Sequence, residues 1–390
     1  MLSTAHAVEE SVSTRFVHTR HESERICSAL KTEDYSVQPI VDVSPPKWHL
    51  AHTTWFFEEF VLKSHLPGYR VYNEDFAYLF NSYYNNAGKR VLRPNRGLMT
   101  RPPVKEIYDY RKYVTDHVVK LLDGALNELA LELIEVGINH EQQHQELLIY
   151  DIKYILGHQP GFPGFDTGRH PTAESDEHFM ISIEEGVHEI GYKDTGFHFD
   201  NEKGVHRAFT EPFTIASRLV TNGEFIEFIA DGGYTNFNLW HSDGWDYINQ
   251  NDTISPLYWH KVDGKWHYYD CTGLVPVDPA KPVAHVSYYE AFAFAEWSGY
   301  RLPTEFEWEI ASDRFGWGQL CEWTGSAYLP YPGFTKAPGA LGEYNGKFMV
   351  NQHVLRGASV ATSAGHSRKT YRNFFHPHLQ WMFSGIRLAK

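Results

Sequence analysis

The spacing of apolar residues predicts long helices in the first part of the chain. In the opening segment, apolar side chains recur at roughly helical intervals between charged residues: Val12, Phe16, Ile26 and Leu30. The same period continues in three further segments, at residues 45–66, 104–126 and 126–156. Prolines open the first of these three and Gly157 ends the last, as expected at helix ends. Four helices of this length favour a helical bundle.

Two less regular stretches interrupt or follow these helices. Residues 76–101 are rich in aromatic side chains and arginine, and we expect a long loop there. Loops of that length in a compact domain are usually functional. Residues 157–178 are rich in glycine, proline and histidine, a composition typical of a linker.

After the linker, the pattern changes to short alternating runs. Alternation predicts strands in four runs, at residues 178–183, 197–201, 213–220 and 265–270. Two helices are predicted among them, within residues 221–233 and 287–299, and Thr221 or Asn222 is the N-cap of the first. We therefore predict an α plus α+β protein in three parts: a helical domain at residues 1–160, a linker at 161–180 and an α+β domain at 181–390.

Composition and charge narrow the class of protein. The 390 residues are 42% hydrophobic and 15% aromatic, which is enough to bury large cores. The net charge of −14, without a basic run, argues against a nucleic-acid partner. No window approaches about 18 consecutive apolar residues, so we expect no membrane span. The first residues lack the pattern of a secretory signal.

The cysteines indicate a reducing compartment. There are three, and none lies in a Cys-x-x-Cys pair: Cys27, Cys271 and Cys321. So sparse a set favours a cytoplasmic protein with reduced thiols. Cys27 lies on a predicted amphipathic helix, where we expect it to be buried and inert.

The sharpest chemical signal is a pair of histidines on the longest predicted helix. His140 and His144 are four residues apart, so they share one helix face and can chelate one divalent metal ion. A third ligand must come from another helix, and His52 is the best candidate. His49 lies three residues before it, and spacing alone does not choose between the two. Three neutral imidazoles suit Fe(II) or Zn(II), so ligand type does not select the metal.

The same segment also satisfies the His-Glu-x-x-His pattern of zinc hydrolases, with Glu141 as the general base. The extended form of that pattern, with a further glycine and histidine, is absent here. A carboxylate such as Asp151 or Glu184 would have to complete the zinc site. The pattern is therefore only a moderately specific sign of a zinc hydrolase, and the residues alone leave this alternative open.

Several motifs together resemble a known family, the ergothioneine-pathway sulfoxide synthases. The helical part resembles their DinB-like half through three segments: SPPKWHLAHTTWFFEEF, NSYYNNAGKRVLRPNRGLMTRP and NHEQQHQELLIYDIKY. The second part resembles their formylglycine-generating-enzyme-like domain through five others: VTNGEFIEFIADGGY, PVAHVSYYEAFAFAEWSGYRLPTEFEWEIAS, QLCEWTGSAY, VLRGAS and YRNFFHPHLQWMFSGIRLA. The resemblance implies an N-terminal DinB-like four-helix bundle followed by a C-terminal formylglycine-generating-enzyme-like (C-type-lectin-like) domain.

The resemblance implies an oxidoreductase with a non-haem Fe(II) centre. Such an enzyme uses O₂ to join the thiol of L-cysteine, or a related thiol, to the imidazole C2 of hercynine and forms a sulfoxide. The family's three metal ligands correspond to His52, His140 and His144. It is the resemblance, and not the spacing, that prefers His52 to His49.

The resemblance also implies roles for residues that bind substrates. Arg93 and Arg96, in an R-P-x-R segment typical of the cysteine-using branch, are expected to hold a substrate carboxylate. Tyr83 or Tyr84 is expected to be the catalytic acid, without a choice between them. Four more residues are expected to bind hercynine: Gln143, Asn373, Phe374 and Phe375. Aromatic faces are the natural partners of its trimethylammonium group.

Several alternatives remain open at this point. Formylglycine-generating enzymes use a cysteine pair near the C-terminus, but residues 322–390 contain no cysteine, so we interpret the second domain as a substrate-binding scaffold. A selenoneine-type or ovothiol-type synthase would use a selenium donor or histidine. Ovothiol synthases usually carry a methyltransferase, and no G-x-G-x-x-G segment is present. A binding protein without catalysis is the most distant alternative, and the sequence does not reveal the oligomeric state.

Overall fold

The computed structural model describes residues 10–82, 84, 88–124, 126–165, 167–174, 177–336 and 345–390. The chain divides into two compact units, the first reaching to Ile155 and the second beginning at Leu156. Each unit is described by itself below.

Four long helices form the first unit, as the apolar spacing predicted. They are α1 (Val12–Cys27), α2 (Pro46–Phe57), α4 (Val104–Leu122) and α5 (Glu128–Gly157), with a short helix α3 (Phe76–Phe80) between the second and the third. The side chain of Ser11 caps α1 by accepting from the backbone N–H of Thr14 at 3.1 Å. Pro46 opens α2, a position that tolerates the missing N–H of proline.

The prediction of a continuous loop at residues 76–101 is wrong in its described part. It contains α3 and a 3₁₀ turn, Arg93–Leu98. Phe76 and Phe80 are buried and meet edge to face at 5.1 Å, and Phe76 also packs on Tyr110 at 4.9 Å. These apolar contacts stabilise a short helix that local propensity alone does not indicate.

Helix α2 continues into a π-helical turn, Glu58–Leu62, and a last turn, Lys63–His65. This turn carries the buried carboxylate of Glu58 to three donors. The phenols of Tyr69 and Tyr110 and the backbone N–H of Tyr72 all donate to it. The buried charge is therefore satisfied by hydrogen bonds.

A buried ion network ties the four long helices together. The carboxylate of Glu141 on α5 accepts from Arg20 of α1 at 2.7 Å and from Arg111 of α4 at 2.9 Å. The hydroxyl of Ser23 donates to the same carboxylate at 2.7 Å, and both arginines donate to the hydroxyl of Thr54 on α2. All of these groups are buried, so the register of the helices depends on their mutual pairing.

The second unit contains small sheets rather than one large one. The strands are β1 (Met180–Ile183), β2 (Gly186–Ile190), β3 (His206–Thr210), β4 (Phe213–Ala216), β5 (Trp259–Val262), β6 (Lys265–Tyr269), β7 (Leu274–Pro276), β8 (Cys321–Ala327), β9 (His353–Arg356), β10 (Asn373–Phe375) and β11 (Ser384–Gly385). Strand β1 pairs with β4 and β2 with β3, both antiparallel. Strands β5, β6 and β7 form an antiparallel sheet, and four strands form the sheet of order β10-β9-β8-β11.

Among the described residues of this unit, four helices accompany the sheets: α6 (Asn222–Ala230), α7 (Ser242–Gln250), α8 (Tyr288–Ser298) and α9 (Glu305–Ala311). Thr221, and not Asn222, is the N-cap of α6. The pattern predicted α6 and α8 but not α7 and α9. The capping box of Thr304 and Glu307 was the signal that could have revealed α9.

The strand predicted at residues 197–201 is wrong. The chain there is irregular and enters a 3₁₀ turn, Asp200–Glu202. The carboxylate of Glu202 accepts from the backbone N–H of Phe199 at 2.9 Å, from Arg368 at 2.8 Å and from Thr370 at 2.7 Å. These hydrogen bonds hold the segment in a turn even though its residues alternate.

Cys27 is buried, as predicted, and burial raises the pKa of its thiol to about 12. The thiol therefore stays protonated and unreactive at neutral pH. In the described part of the chain, no helix combines the length and the apolar composition needed to cross a membrane.

The close approach of α5 to α2 generates the first prediction. A Cβ atom at Gly137 would overlap the ring of Phe57, which is buried and also packs on Phe16 at 5.0 Å. Gly137→Ala should lower the free energy of unfolding by about 1–3 kcal/mol, although alanine has the better helix propensity. Chemical denaturation measures this, with Glu132→Ala on the exposed face of α5 as the control. A Gly137→Ala variant as stable as the wild type would show that the helices can separate at no cost.

Candidate metal centre

Helices α2 and α5 bring three buried histidines together. His52 lies on α2, and His140 and His144 lie one turn apart on α5. One ring nitrogen from each falls within 4.8 Å of those of the other two. We call these three residues the histidine cluster. In the described part of the chain, no carboxylate belongs to this group of potential ligands.

A backbone hydrogen bond and two indole rings fix the orientation of His52. Its Nδ1 lies 2.6 Å from the carbonyl oxygen of Phe80. A carbonyl only accepts, so Nδ1 carries the proton and Nε2 keeps a lone pair. Trp48 and Trp55 stack on the imidazole, with ring centres 4.6 and 5.6 Å away. Nε2 is buried without a hydrogen-bond partner, as expected of a nitrogen that binds a metal ion.

Two side chains, those of His49 and Asp151, form a series of hydrogen bonds that ends at His144. The Nδ1 of His49 lies 2.9 Å from the Nδ1 of His144, and the Nε2 of His49 lies 2.8 Å from Oδ2 of Asp151. Both ring nitrogens of His49 are therefore engaged, and its place is beside the cluster rather than within it. The geometry thus agrees with His52, and not His49, as the ligand from α2.

Burial keeps the cluster neutral. It lowers the pKa of His140 to about 3, and it holds the pKa values of His52 and His144 well below their ordinary value. Neutral imidazoles present lone pairs at physiological pH. An ion bound at about 2.1 Å to each of two nitrogens holds them at most about 4.2 Å apart. A separation within 4.8 Å thus requires little movement of the rings, and the cluster fits one divalent ion.

Glu141 is not placed to act as the base of a zinc hydrolase. Its carboxylate is occupied by Arg20, Arg111 and Ser23, and it is fully buried. These partners outweigh burial and lower the pKa of Glu141 to about 2. Asp151, one carboxylate considered for a zinc site, accepts from His49 and from the backbone N–H of Ser44 at 2.8 Å.

The two arginines of the R-P-x-R segment have different surroundings, although the sequence analysis predicted the same role for both. Arg96 is buried, and its guanidinium lies 3.4 Å above the ring of Trp48. Its Nη1 and Nη2 donate to the hydroxyls of Ser44 at 2.9 Å and Ser82 at 3.1 Å. Trp48 also stacks on His52, so Arg96 and the histidine cluster contact the same indole ring.

Arg93 lies farther out on the same 3₁₀ turn. Its Nη2 donates to the carbonyl oxygen of Asp42 at 2.6 Å, and its own carbonyl accepts from Gln38 at 2.9 Å. The side chain of Gln38 also accepts from the backbone N–H of Gly97 at 2.6 Å. Arg93 thus helps to hold the turn against residues 38–42.

Tyr84 is buried beside the cluster, and Tyr83 lies outside the described residues. The side chain of Asn81 donates to the carbonyl oxygen of Tyr84 at 3.0 Å and fixes this part of the backbone. The Tyr84 ring packs on Trp55 at 5.7 Å and on Phe56 at 6.4 Å. Those same two rings contact the histidine cluster, so Tyr84 shares its neighbours. Gln143 is half-buried on α5 directly before His144.

The remaining predicted substrate residues lie on β10 in the second unit. Phe374 stacks on Tyr328 with ring centres 4.0 Å apart and planes 9° from parallel. Phe375 meets Trp381 edge to face at 5.2 Å. The Asn373 side chain accepts from the backbone N–H of Phe374 at 3.0 Å. All three residues of β10 are half-buried, so each keeps some exposed surface.

The sequence analysis did not predict which residues contact the three histidines of the cluster and hold them in place. Trp48 lies four residues before His52 on α2, and Asp151 lies seven residues after His144 on α5. Such spacings place residues on the same helix face, so the helical period was the signal that could have found them.

Two family models match the chain. Residues 15–148 match the DinB superfamily, and residues 167–318 match the sulfatase-modifying factor enzyme 1-like domain. These matches confirm the predicted fold class, a DinB-like helical part followed by a formylglycine-generating-enzyme-like part.

Curated relatives match most of the chain. The hercynine oxygenase of Mycolicibacterium smegmatis is 30% identical, and the match covers 89% of this chain and 91% of that protein. The hercynine oxygenase of Mycolicibacterium thermoresistibile is 27% identical, with 89% and 87% covered. That of Mycobacterium tuberculosis is 32% identical over 49% of this chain and 55% of the relative. The chain belongs to the hercynine oxygenase family and is an enzyme, which confirms the resemblance to the ergothioneine-pathway sulfoxide synthases.

The surroundings of Glu141 generate the second prediction. Glu141→Gln leaves the buried Arg20 and Arg111 without their shared carboxylate, so the free energy of unfolding should fall by about 3–5 kcal/mol. The pKa of Glu141 is lowered from 4.5 to about 2 on folding. The contribution of its charge is therefore complete above pH 4.5 and is lost as the pH falls toward 2.

Denaturant unfolding of wild type and variant between pH 7 and pH 3 measures this effect. The difference between the two proteins should shrink on acidification, and Glu132→Gln, on the exposed face of α5, should show no such trend. A Glu141→Gln variant of wild-type stability at pH 7 would contradict a structural role for this carboxylate.

Proposed function

We propose that this enzyme is an Fe(II)- and O₂-dependent sulfoxide synthase of ergothioneine biosynthesis. It joins the sulfur of L-cysteine to the imidazole C2 of hercynine. The observation that carries the proposal is the buried histidine cluster, in a chain of the hercynine oxygenase family. The sparse cysteines support a cytoplasmic location.

In this proposal the histidine cluster holds the iron. When bound, Fe(II) supplies the means to activate O₂ and to accept a thiolate. Because all three ligands are neutral, no carboxylate of the protein offsets the charge of the ion. An anionic sulfur donor is therefore favoured at the site. The buried indoles of Trp48 and Trp55 stack on the imidazole of His52 and add apolar surface beside the cluster.

Hercynine requires an aromatic surface for its fixed cation and polar groups for its imidazole and carboxylate. We assign the first role to Phe374 and Phe375, since a trimethylammonium group is attracted to aromatic faces. The stacking of Phe374 on Tyr328 supports this, because it holds the aromatic ring in place while the residue keeps some exposed surface. Asn373 and Gln143 supply hydrogen bonds to hercynine in this assignment.

Cysteine requires a cation for its carboxylate, and Arg93 and Arg96 are assigned to this role. Both guanidiniums form hydrogen bonds within the protein, and those of Arg96 go to two hydroxyls. A carboxylate can replace a neutral hydroxyl as acceptor with a gain, because charge-assisted hydrogen bonds are stronger. Tyr83 or Tyr84 is assigned as the proton donor during C–S bond formation.

The third prediction tests the metal and the reaction together. His140→Ala should abolish iron binding and oxygen consumption, because two imidazoles cannot complete the site. Iron content after anaerobic purification, and oxygen uptake that requires both hercynine and cysteine, measure the two effects. His18→Ala, an exposed histidine on α1, is the matched control and should retain both.

Product analysis with alternative substrates completes this test. Hercynine or histidine should be offered with cysteine, γ-glutamylcysteine or a selenium donor, and the C2 sulfoxide of hercynine and cysteine should dominate. Full iron content in His140→Ala would refute the ligand assignment. If the purified wild type contains zinc instead of iron and takes up no oxygen, the proposed oxygenase activity is refuted.

The fourth prediction separates the two tyrosines. Tyr83→Phe and Tyr84→Phe each remove one phenol, and loss of the proton donor should divert the reaction toward oxidation of the thiol by O₂. The ratio of sulfoxide to oxidised cysteine should therefore fall severalfold in one variant and stay unchanged in the other. An unchanged ratio in both variants would mean that the acid lies elsewhere.

A further inference from the structure

One buried side chain near the cluster has no part in the proposed reaction. His49 lies on α2 one turn before His52, and it bridges His144 and Asp151. All of these side chains are buried, so each of their polar atoms depends on a protein partner. The bridge connects α2 to α5 at two points, since Asp151 lies two turns after His144 on the same helix.

The hydrogen bonds of this bridge run in one direction. Oδ2 of Asp151 accepts from the backbone N–H of Ser44 and, as a carboxylate oxygen, also from the Nε2–H of His49. With its proton on Nε2, the neutral ring of His49 keeps a lone pair on Nδ1. That lone pair accepts from the Nδ1–H of His144. His144 then has its own lone pair on Nε2, the nitrogen that remains for a metal ion.

We infer that Asp151 and His49 are positioning residues for the metal ligand His144. They select its Nδ1–H form and fix the plane of its ring, so that Nε2 faces the other two imidazoles. This inference rests on the proposed metal centre. Carboxylate–histidine pairs behind metal ligands are a recurrent device, and here a second histidine lies between the carboxylate and the ligand.

The neighbouring ligand has a different kind of support. His52 donates its Nδ1–H to the backbone carbonyl oxygen of Phe80, which no substitution at that position removes. His144 depends on side chains, so its support can be removed without changing any ligand.

Metal affinity tests the inference independently of turnover, with Co(II) as an air-stable probe in competition with a chromophoric chelator. His49→Leu should weaken Co(II) binding by about 10–100-fold, the usual effect of losing such an outer partner. His49→Asn can place an amide oxygen near the position of Nδ1, accept from His144 and restore most of the affinity. His49→Gln places its amide near Asp151, leaves His144 without an acceptor and should bind as weakly as His49→Leu.

A second readout reports the Nδ1–H of His144 itself. In the Co(II) protein, the N–H protons of bound imidazoles give strongly shifted NMR signals that disappear when they exchange with deuterium oxide. The signals of His52 and His144 should exchange slowly in the wild type. In His49→Gln, one of them should exchange faster while the other is unchanged. Circular dichroism and thermal unfolding check that each variant is folded. If His49→Leu does not fold, His49→Gln provides the same test of the inference.

Ligand variants keep this inference separate from the proposed function. His140→Ala and His144→Ala should lose Co(II) binding altogether. If they bind Co(II) as well as the wild type, the metal centre itself is wrong. If they lose it while His49→Leu and His49→Gln bind within twofold of the wild type, the metal centre stands and the positioning role of His49 is refuted.

Discussion

The first unit depends on keeping three buried imidazoles neutral and correctly oriented. Burial supplies the neutrality, since it lowers the pKa of each histidine of the cluster. Orientation must then come from hydrogen bonds to the ring nitrogens that face away from the ion. Phe80 provides one such bond to His52, and His49 provides one to His144. The two helices that carry the ligands must therefore be held at a fixed distance and register.

That fixed register explains features that local sequence does not. Gly137 lets α5 approach the ring of Phe57, and Glu141 uses its charge to bind arginines from α1 and α4. The charge next to His140 thus serves the bundle rather than the chemistry. Among the described residues the histidine cluster is an all-imidazole site, and the carboxylates of Glu141 and Asp151 are bound to other partners.

The second unit builds its surface in a different way. Its small sheets are joined by long irregular segments, and buried carboxylates hold those segments in place. Glu202 binds Arg368 and Thr370, and Glu322 binds Arg387 and the indole of Trp308. Such pairing defines loops without regular backbone hydrogen bonding. In the proposed function, such a surface would present rings such as that of Phe374 to hercynine.

Local sequence was enough to predict the long helices, the change to an α+β pattern, the histidine pair on α5 and the family. Each of these features follows from local periodicity or from contiguous motifs, which do not depend on distant contacts. The folded structure was needed to show that Glu141 binds arginines and that His49 bridges His144 and Asp151. It also distinguished Arg96 from Arg93, and it showed a turn where residues 197–201 alternate. These outcomes depend on contacts between side chains that are far apart in the sequence. Local periodicity does not indicate which of these side chains meet.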